Sequence, residues 1–176
     1  AAVATCDMFV DEGQIVSTRG REGWSAEDYQ ASYDATIFDR DIPIVVLIDR
    51  YSASASEIVA ACLKDHERAK VVGERSWGKG TVQNVILLEQ GTSALKLTTA
   101  SYWRPNGKNI HRRRKATEAD DWGVRPSEKL EVKLTDEQSR ELYEQRRRND
   151  VLREDKPPAD EEEQTEPTPD PQLLRA

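Results

Sequence analysis

Cysteine is scarce in this chain of 176 residues, which holds two, Cys6 and Cys62, beside one methionine, two phenylalanines and two histidines. Two cysteines cannot build the disulfide framework of a small secreted domain, and their spacing matches no zinc motif. They read instead as small core residues, the usual position of a free cysteine. Long apolar runs are missing too. The longest, Ile44 to Ile48, falls far short of the ~18 residues that a membrane-spanning helix needs, so no integral membrane segment is expected in this chain.

An excess of positive charge is also lacking, with 26 Lys and Arg against 33 Asp and Glu and a formal net charge of −7. Residues 150–176 alone hold nine acids and three bases, which leaves 23 bases and 24 acids in residues 1–149. A balanced body with an acidic tail offers no basic face to a phosphate backbone, which argues against a nucleic-acid partner. The run Arg112-Arg113-Arg114-Lys115 is a single loop beside Glu118 to Asp121 and reads as solvated or self-paired. The tail, 150–176, carries five of the eight prolines and Glu161-Glu162-Glu163. Such a composition predicts a largely disordered segment.

The chain opens in what reads as the second half of an amphipathic helix, with Ala4, Met8 and Phe9 on one side and Asp11-Glu12-Gly13 ending it. The expectation is of a protein that continues upstream, and no secretory leader is legible in the opening residues. Gln14 to Thr18 reads as a strand. Arg19 to Asp39 reads as a polar connection in which Ser25-Ala26-Glu27-Asp28 starts a short helical turn. Pro43 introduces Ile44-Val45-Val46-Leu47-Ile48, the pattern of a strand buried on both faces. Asp49-Arg50-Tyr51-Ser52 breaks the run, and Ile58, Val59, Cys62 and Leu63 recur at helical spacing within Ala55 to Arg68. Lys70 to Gly73 is short and β-like. Thr81 to Leu88 and Ala94 to Trp103 then flank the turn signal Gln90-Gly91-Thr92 as a hairpin. Beyond Glu128 to Leu134, Thr135 and Gln138 have capping-box spacing and predict a charged helix to about Arg148. The order gives an α/β or α+β chain without internal repeats.

Gly73-Glu74-Arg75-Ser76-Trp77-Gly78-Lys79-Gly80 approaches the phosphate-binding loop G-x-x-x-x-G-K-[ST]. Gly80 stands where the magnesium-holding hydroxyl belongs, and the residues that follow read as a strand, whereas a phosphate loop must open a helix. Nucleotide binding is therefore set aside. Ser52, Ser54 and Ser56 sit where a strand feeds a helix. There a serine caps the helix more often than it does chemistry, although helix N–H groups also stabilise negative charge developing on an oxygen.

The ordered set Ile44-Val-Val-Leu-Ile-Asp-Arg-Tyr-Ser-Ala-Ser-Ala-Ser-Glu-Ile-Val-Ala-Ala, Val72-Gly73-Glu74, Gly78-Lys79-Gly80-Thr81-Val82-Gln83 and Leu97-Thr98-Thr99-Ala100-Ser-Tyr-Trp-Arg-Pro-Asn-Gly-Lys-Asn-Ile110 resembles the carboxyl-terminal processing, or tail-specific, proteases of serine peptidase family S41. The resemblance spans roughly residues 1–134 and is densest over 44–110. It implies a ClpP/crotonase-like α/β core over 1–134, here partial because the upstream PDZ domain and first core strands are absent; the charged helix, 135–149, and the acidic tail, 150–176, lie beyond the resemblance. It also implies a serine endopeptidase that engages accessible C-terminal tails of proteins, needs no cofactor or metal, and works in the cell envelope or periplasm. Carried over by position, the nucleophile falls on Ser54, the general base on Lys79, and the residue that orients the base on Gln83. The backbone N–H of Ala55 matches an oxyanion donor, and Glu57 matches an accessory carboxylate.

The physical chemistry is consistent with these roles. A neutral Lys amine can take the serine proton without histidine. Its pKa must then fall from about 10.4 towards roughly 7 to 8, a difference of about 4 kcal/mol, and Trp77 and Val82 are candidates for the apolar pocket that would lower it. A glutamine orients the amine without adding a carboxylate that would hold it protonated. His66 and His111 read as solvated surface groups, so a Ser-His-Asp triad is not expected. The family's second oxyanion donor, a Gly-Gly segment, does not occur in this sequence, which predicts weak or no activity for the chain alone. The competing reading is a non-catalytic peptide-binding module or an inactive fragment of the same fold.

Overall fold

Local sequence and tertiary structure agree over most of the computed structural model, which describes residues 1–21, 27–150 and 169–176. Helix α1 (Ala2–Asp7) is followed by β1 (Gln14–Gly20), β2 (Glu27–Gln30), β3 (Val45–Ile48), α2 (Ala55–Asp65), β4 (Lys70–Gly73), β5 (Thr81–Leu88), β6 (Ser93–Trp103), α3 (Asp136–Asp150) and α4 (Pro171–Arg175). The fold is mixed α/β. β3, α2 and β4 form a βαβ unit whose strands pair in parallel, Val45 beside Lys70 through Ile48 beside Gly73. The other four strands form an antiparallel sheet in the order β2-β1-β6-β5.

The core lies where α1, α2, β1 and the βαβ unit meet. Cys6 and Val10 pack with Ile15 and Val16, with Ile58, Ala61, Cys62 and Leu63 of α2, and with Val71, Ile110 and Val124. Each fully buried Val, Leu or Ile contributes about 1.5–3 kcal/mol. Both cysteines are free and fully buried, as the composition predicted. The Cys62 thiol is pushed up by its contact with Cys6 and by burial, so it remains protonated and inert.

Three expectations need correction. Glu27 and Asp28 belong to β2, paired with Thr18 and Ser17, and not to a helical turn; Ser25 and Ala26 lie outside the described residues. The run Ile44 to Ile48 is not buried on both faces: Ile48 is, but Val45 stays 39% exposed. Among the described residues β3 pairs with β4 alone, and its outer edge has no neighbour. The two histidines are half-buried, not solvated. His66 Nε2 lies 2.7 Å from the Gln14 carbonyl oxygen and ties the end of α2 to β1.

The end of the chain carries one further element. Residues 151–168, which include Glu161-Glu162-Glu163, lie outside the described residues, but the last residues form α4. Asp170 accepts from the N–H groups of Gln172 and Leu173, and Pro171 starts the helix at the position where its missing N–H costs nothing. Asp170 also pairs with Arg146 of α3 at 2.6 Å. The buried Gln172 side chain donates to the Val132 carbonyl, and Arg175 donates to that of Lys129. Specific polar contacts thus tie residues 170–175 to α3 and to the segment 129–132. α3 has the expected capping box: Gln138 N donates to Thr135 Oγ1 at 3.1 Å, and Thr135 N donates to Gln138 Oε1 at 2.9 Å.

Candidate active site

The turn between β3 and α2 is held by Asp49, whose Oδ1 accepts from Tyr51 N, Ser52 N and Ser52 Oγ at 2.8–3.0 Å. The chain then reaches Ser54, which adopts φ +57° and ψ −113° immediately before α2. A positive φ is uncommon outside glycine and costs of order 1–3 kcal/mol, so it persists only where the surroundings enforce it. Glu57 supplies that enforcement, since its Oε2 accepts from Ser54 N at 2.9 Å.

Glu57 is fully buried and its carboxylate accepts three further hydrogen bonds, from Ser76 Oγ and Gly78 N to Oε1 at 2.6 Å each and from Lys79 N to Oε2 at 2.8 Å. The backbone nitrogens of Ser54 and Lys79 therefore share one carboxylate oxygen, although 25 residues separate them in sequence. Ser76 completes the arrangement by accepting from Val124 N at 2.7 Å. The Ser-x-x-Glu spacing at 54–57 was visible as a capping pattern. The extension of that carboxylate to a second loop was not, because it depends on how residues 76–79 fold back.

That loop is pressed on its other side by residues 110–112. Arg112 N donates to the Gly78 carbonyl at 2.9 Å, and Trp122 lies between the guanidinium groups of Arg75, at 3.4 Å from the ring centroid, and Arg112, at 4.3 Å. Gly78 has φ +85°, and a Cβ at Gly80 would fall 2.3 Å from the His111 backbone nitrogen. The residue that spoils the phosphate-loop pattern is thus required by close backbone packing. The chain after it continues as strand β5.

Ser54 and Ala55 line a cavity of about 620 Å³, with Ile58, Val82, Ala100 and Tyr102 among its walls. The Ala55 N–H, first of α2, has no acceptor among the described residues and is free to donate into this space. Lys79 and Gln83 do not line it, and both side chains are exposed. Strand alternation puts Gln83 with Thr81 on the face of β5 opposite Val82 and Asn84. The structure therefore brings together Ser54, Ala55, Glu57 and the Lys79 backbone. No hydrogen bond links Ser54 Oγ, the Lys79 amine and Gln83 among the described residues. The apolar pocket expected around Lys79 is not closed either, since Trp77 is 56% exposed and Val82 faces the cavity. Neither histidine bonds to Ser54 among the described residues.

Comparison with known proteins gives consistent relatives. Residues 1–127 match the sequence profile of "Peptidase family S41". A carboxy-terminal-processing protease of Bartonella bacilliformis is 47% identical over 111 residues, 62% of this chain and 24% of that protein. A carboxyl-terminal-processing protease of Synechocystis is 34% identical over 134 residues, 76% of this chain and 28% of the relative. The solved structure of a photosystem II D1 C-terminal processing protease superposes with a TM-score of 0.60 at 34% identity, over 75% of this chain and 30% of that one. The chain spans roughly a quarter of the length of these curated relatives.

Proposed function

The chain belongs to peptidase family S41, and on that premise we propose that it carries the reacting residues of a serine endopeptidase of Ser-Lys type acting on the C-terminal tails of other proteins. The observation that carries this reading is the strained Ser54, held by the same Glu57 oxygen that holds the backbone of Lys79. Such strain on a serine at the mouth of a cavity matches the demands on a nucleophile that must project from a turn.

In this mechanism Ser54 Oγ forms a bond to the scissile carbonyl carbon while the neutral Lys79 amine takes the hydroxyl proton. The carbonyl oxygen becomes an oxyanion and receives a hydrogen bond from Ala55 N–H at the positive end of α2. Lys79 then returns the proton to the leaving amine as the C–N bond breaks, and water hydrolyses the Ser54 ester by the same proton route. Gln83 orients the amine by accepting one of its N–H bonds. A substrate chain lying over Lys79 excludes water and supplies the desolvation that favours the neutral amine. The family resemblance places such an enzyme in the cell envelope or periplasm of a bacterium, and the relatives from Bartonella and Synechocystis are bacterial.

The test uses the longest natural product of the gene, an unfolded protein with an apolar C-terminus as substrate, and the Ser54→Ala and Lys79→Ala forms. Loss of cleavage by at least about 10³-fold in each variant supports the Ser-Lys reading. Equal behaviour of all three favours a non-catalytic peptide-binding module of the same fold, a reading to which the exposure of Lys79 and Gln83 lends weight.

A further inference from the structure

Helix α4 lies more than 110 residues beyond Ser54 in sequence, yet its contacts lead back to the turn that carries that serine. Leu173 and Leu174 stay exposed among the described residues, so within this chain α4 docks through polar groups. Two routes run from it. The first starts at Gln172, which is 3% exposed and donates from Nε2 to the Val132 carbonyl at 3.3 Å. Val132 N donates to the Gly73 carbonyl at 2.9 Å and Gly73 N to the Leu130 carbonyl at 3.1 Å, so the segment 130–132 runs beside the end of β4. Gly73 has φ +122°, and a Cβ on it would collide with the Ile48 carbonyl oxygen and fall 3.0 Å from Gln172 Nε2. Glycine at 73 thus lets the amide of α4 and the last residue of β3 close on the same point. Glu74 N fixes that Ile48 carbonyl at 3.0 Å, while Glu74 Oε1 accepts from Leu134 N at 2.6 Å.

The second route starts at Asp170, which caps α4 and pairs with Arg146 in the second half of α3. In the first turn of α3, Asp136 Oδ1 and Ser139 Oγ accept from Arg50 Nη2 at 2.8 and 3.2 Å. One route therefore ends on Ile48 and the other on Arg50, the two neighbours of Asp49. Asp49 is the residue whose carboxylate holds Tyr51 N and Ser52, and the Ser52 carbonyl receives Trp77 N, from the loop that leads to Lys79, at 2.9 Å. Helix α4 braces the turn on both sides of the carboxylate that organises it.

We propose that Gln172 is a positioning residue: docked through it, α4 holds Ile48 and Arg50, and with them the Asp49 turn that presents Ser54, and undocking releases that turn. This rests on the reading of Ser54 as the reacting group and adds what fixes its aim. Docking through a few polar contacts puts α4 among the elements that open locally before the whole domain does. A reacting group misplaced by about 1 Å loses up to about 10²-fold in rate, so a brace remote from the chemistry can still set it.

Amide hydrogen exchange on the full-length Ser54→Ala protein reads the turn without any chemistry. Gln172→Ala should speed exchange of the Tyr51 and Ser52 amides at least about tenfold and leave those of β1 and β6 within about twofold. Arg146→Ala, at an exposed position on the second route, should speed the same two amides, and Leu174→Ala, at an exposed position of α4, should change neither. With Ser54 in place and an unfolded protein with an apolar C-terminus as substrate, Gln172→Ala should lower kcat at least about fivefold and move KM less than about twofold. Unchanged exchange at Tyr51 and Ser52, faster exchange throughout the domain, an equal loss in Leu174→Ala, or a change confined to KM would each overturn the proposal. If the two amides loosen as described but the protein with Ser54 cleaves nothing, the protease reading fails and the brace stands. If that protein cleaves and Gln172→Ala alters neither kcat nor the two amides, the brace fails and the protease reading stands.

Discussion

At the base of the β5–β6 hairpin, the N–H groups of Gly78 and Lys79 end on a fully buried carboxylate, and Gly80 presses backbone to backbone on His111. Five residues beyond Gly80, Val85 to Leu88 stand between 42% and 70% exposed. The base has no room for a methyl group, and among the described residues the tip stays largely uncovered. Hydrogen bonds that converge on one acceptor define positions to within tenths of an ångström, which chemistry needs. An exposed apolar strand, by contrast, tolerates substitution because few contacts fix its side chains.

The largest effect is expected from removing the shared acceptor. Glu57→Ala leaves Ser54 N, Ser76 Oγ, Gly78 N and Lys79 N without their partner in a buried setting. Each unsatisfied donor costs about 1–3 kcal/mol, less than additively once water enters, so a loss of about 3–5 kcal/mol in urea denaturation is expected. Leu87→Lys at the tip should stay within about 0.5 kcal/mol, as exposed substitutions do. Similar losses from both would erase the contrast between base and tip.

A smaller effect should follow from Gly80→Ala. The added methyl meets the backbone at Ile110 and His111, which cannot rotate away as a side chain could. Displacing it should cost about 1–3 kcal/mol, the usual range for overpacking. Gly91→Ala, in the turn at the tip, finds open space and is strained only by its φ of +93°. Its loss, read as a shift in melting temperature, should be about 1 kcal/mol and independent of the cavity.

The contrast also marks what the sequence could reveal. Both hairpin strands, the turn at Gln90-Gly91-Thr92, helix α2 and the capping box at Thr135 were legible because each depends on residues close in sequence. Glu57 was legible as a capping residue but not as the clamp of the 76–79 loop, since that role needs a contact across 19 to 22 residues. The ion pair of Arg104 with Asp65, at 3.0 Å from Nε, was hidden for the same reason. The exposure of Val45 was misread because a β-branched run states that a strand can be buried, and only its neighbours decide whether it is. The α4 helix was missed because composition averaged Asp170, Pro171 and Gln172 into an acidic tail, when their order is that of a cap, a first turn and a buried amide.

The smallest expected effect lies at the outermost layer of the base. Trp122, stacked between Arg75 and Arg112, donates from Nε1 to the Thr117 carbonyl at 2.8 Å. Asp120 closes the same turn by accepting from Thr117 N at 2.7 Å and Thr117 Oγ1 at 2.8 Å. These bonds, the backbone one first, hold the Asp120 carboxyl below its ordinary value of 3.8. A carboxyl depressed by folding adds stability that is fully present above the unfolded value and fades as pH falls through the folded one. The melting temperature of Asp120→Asn should therefore lie slightly below that of the parent by a constant amount from pH 7 to about pH 5, and the gap should close below pH 3.8. Ile86→Lys at the tip, next to no titrating carboxylate on its strand, should show no such closure over the same range. A gap for Asp120→Asn that persists at low pH would mean that shape and not charge holds this turn, and that the base is rigid for reasons its electrostatics do not supply.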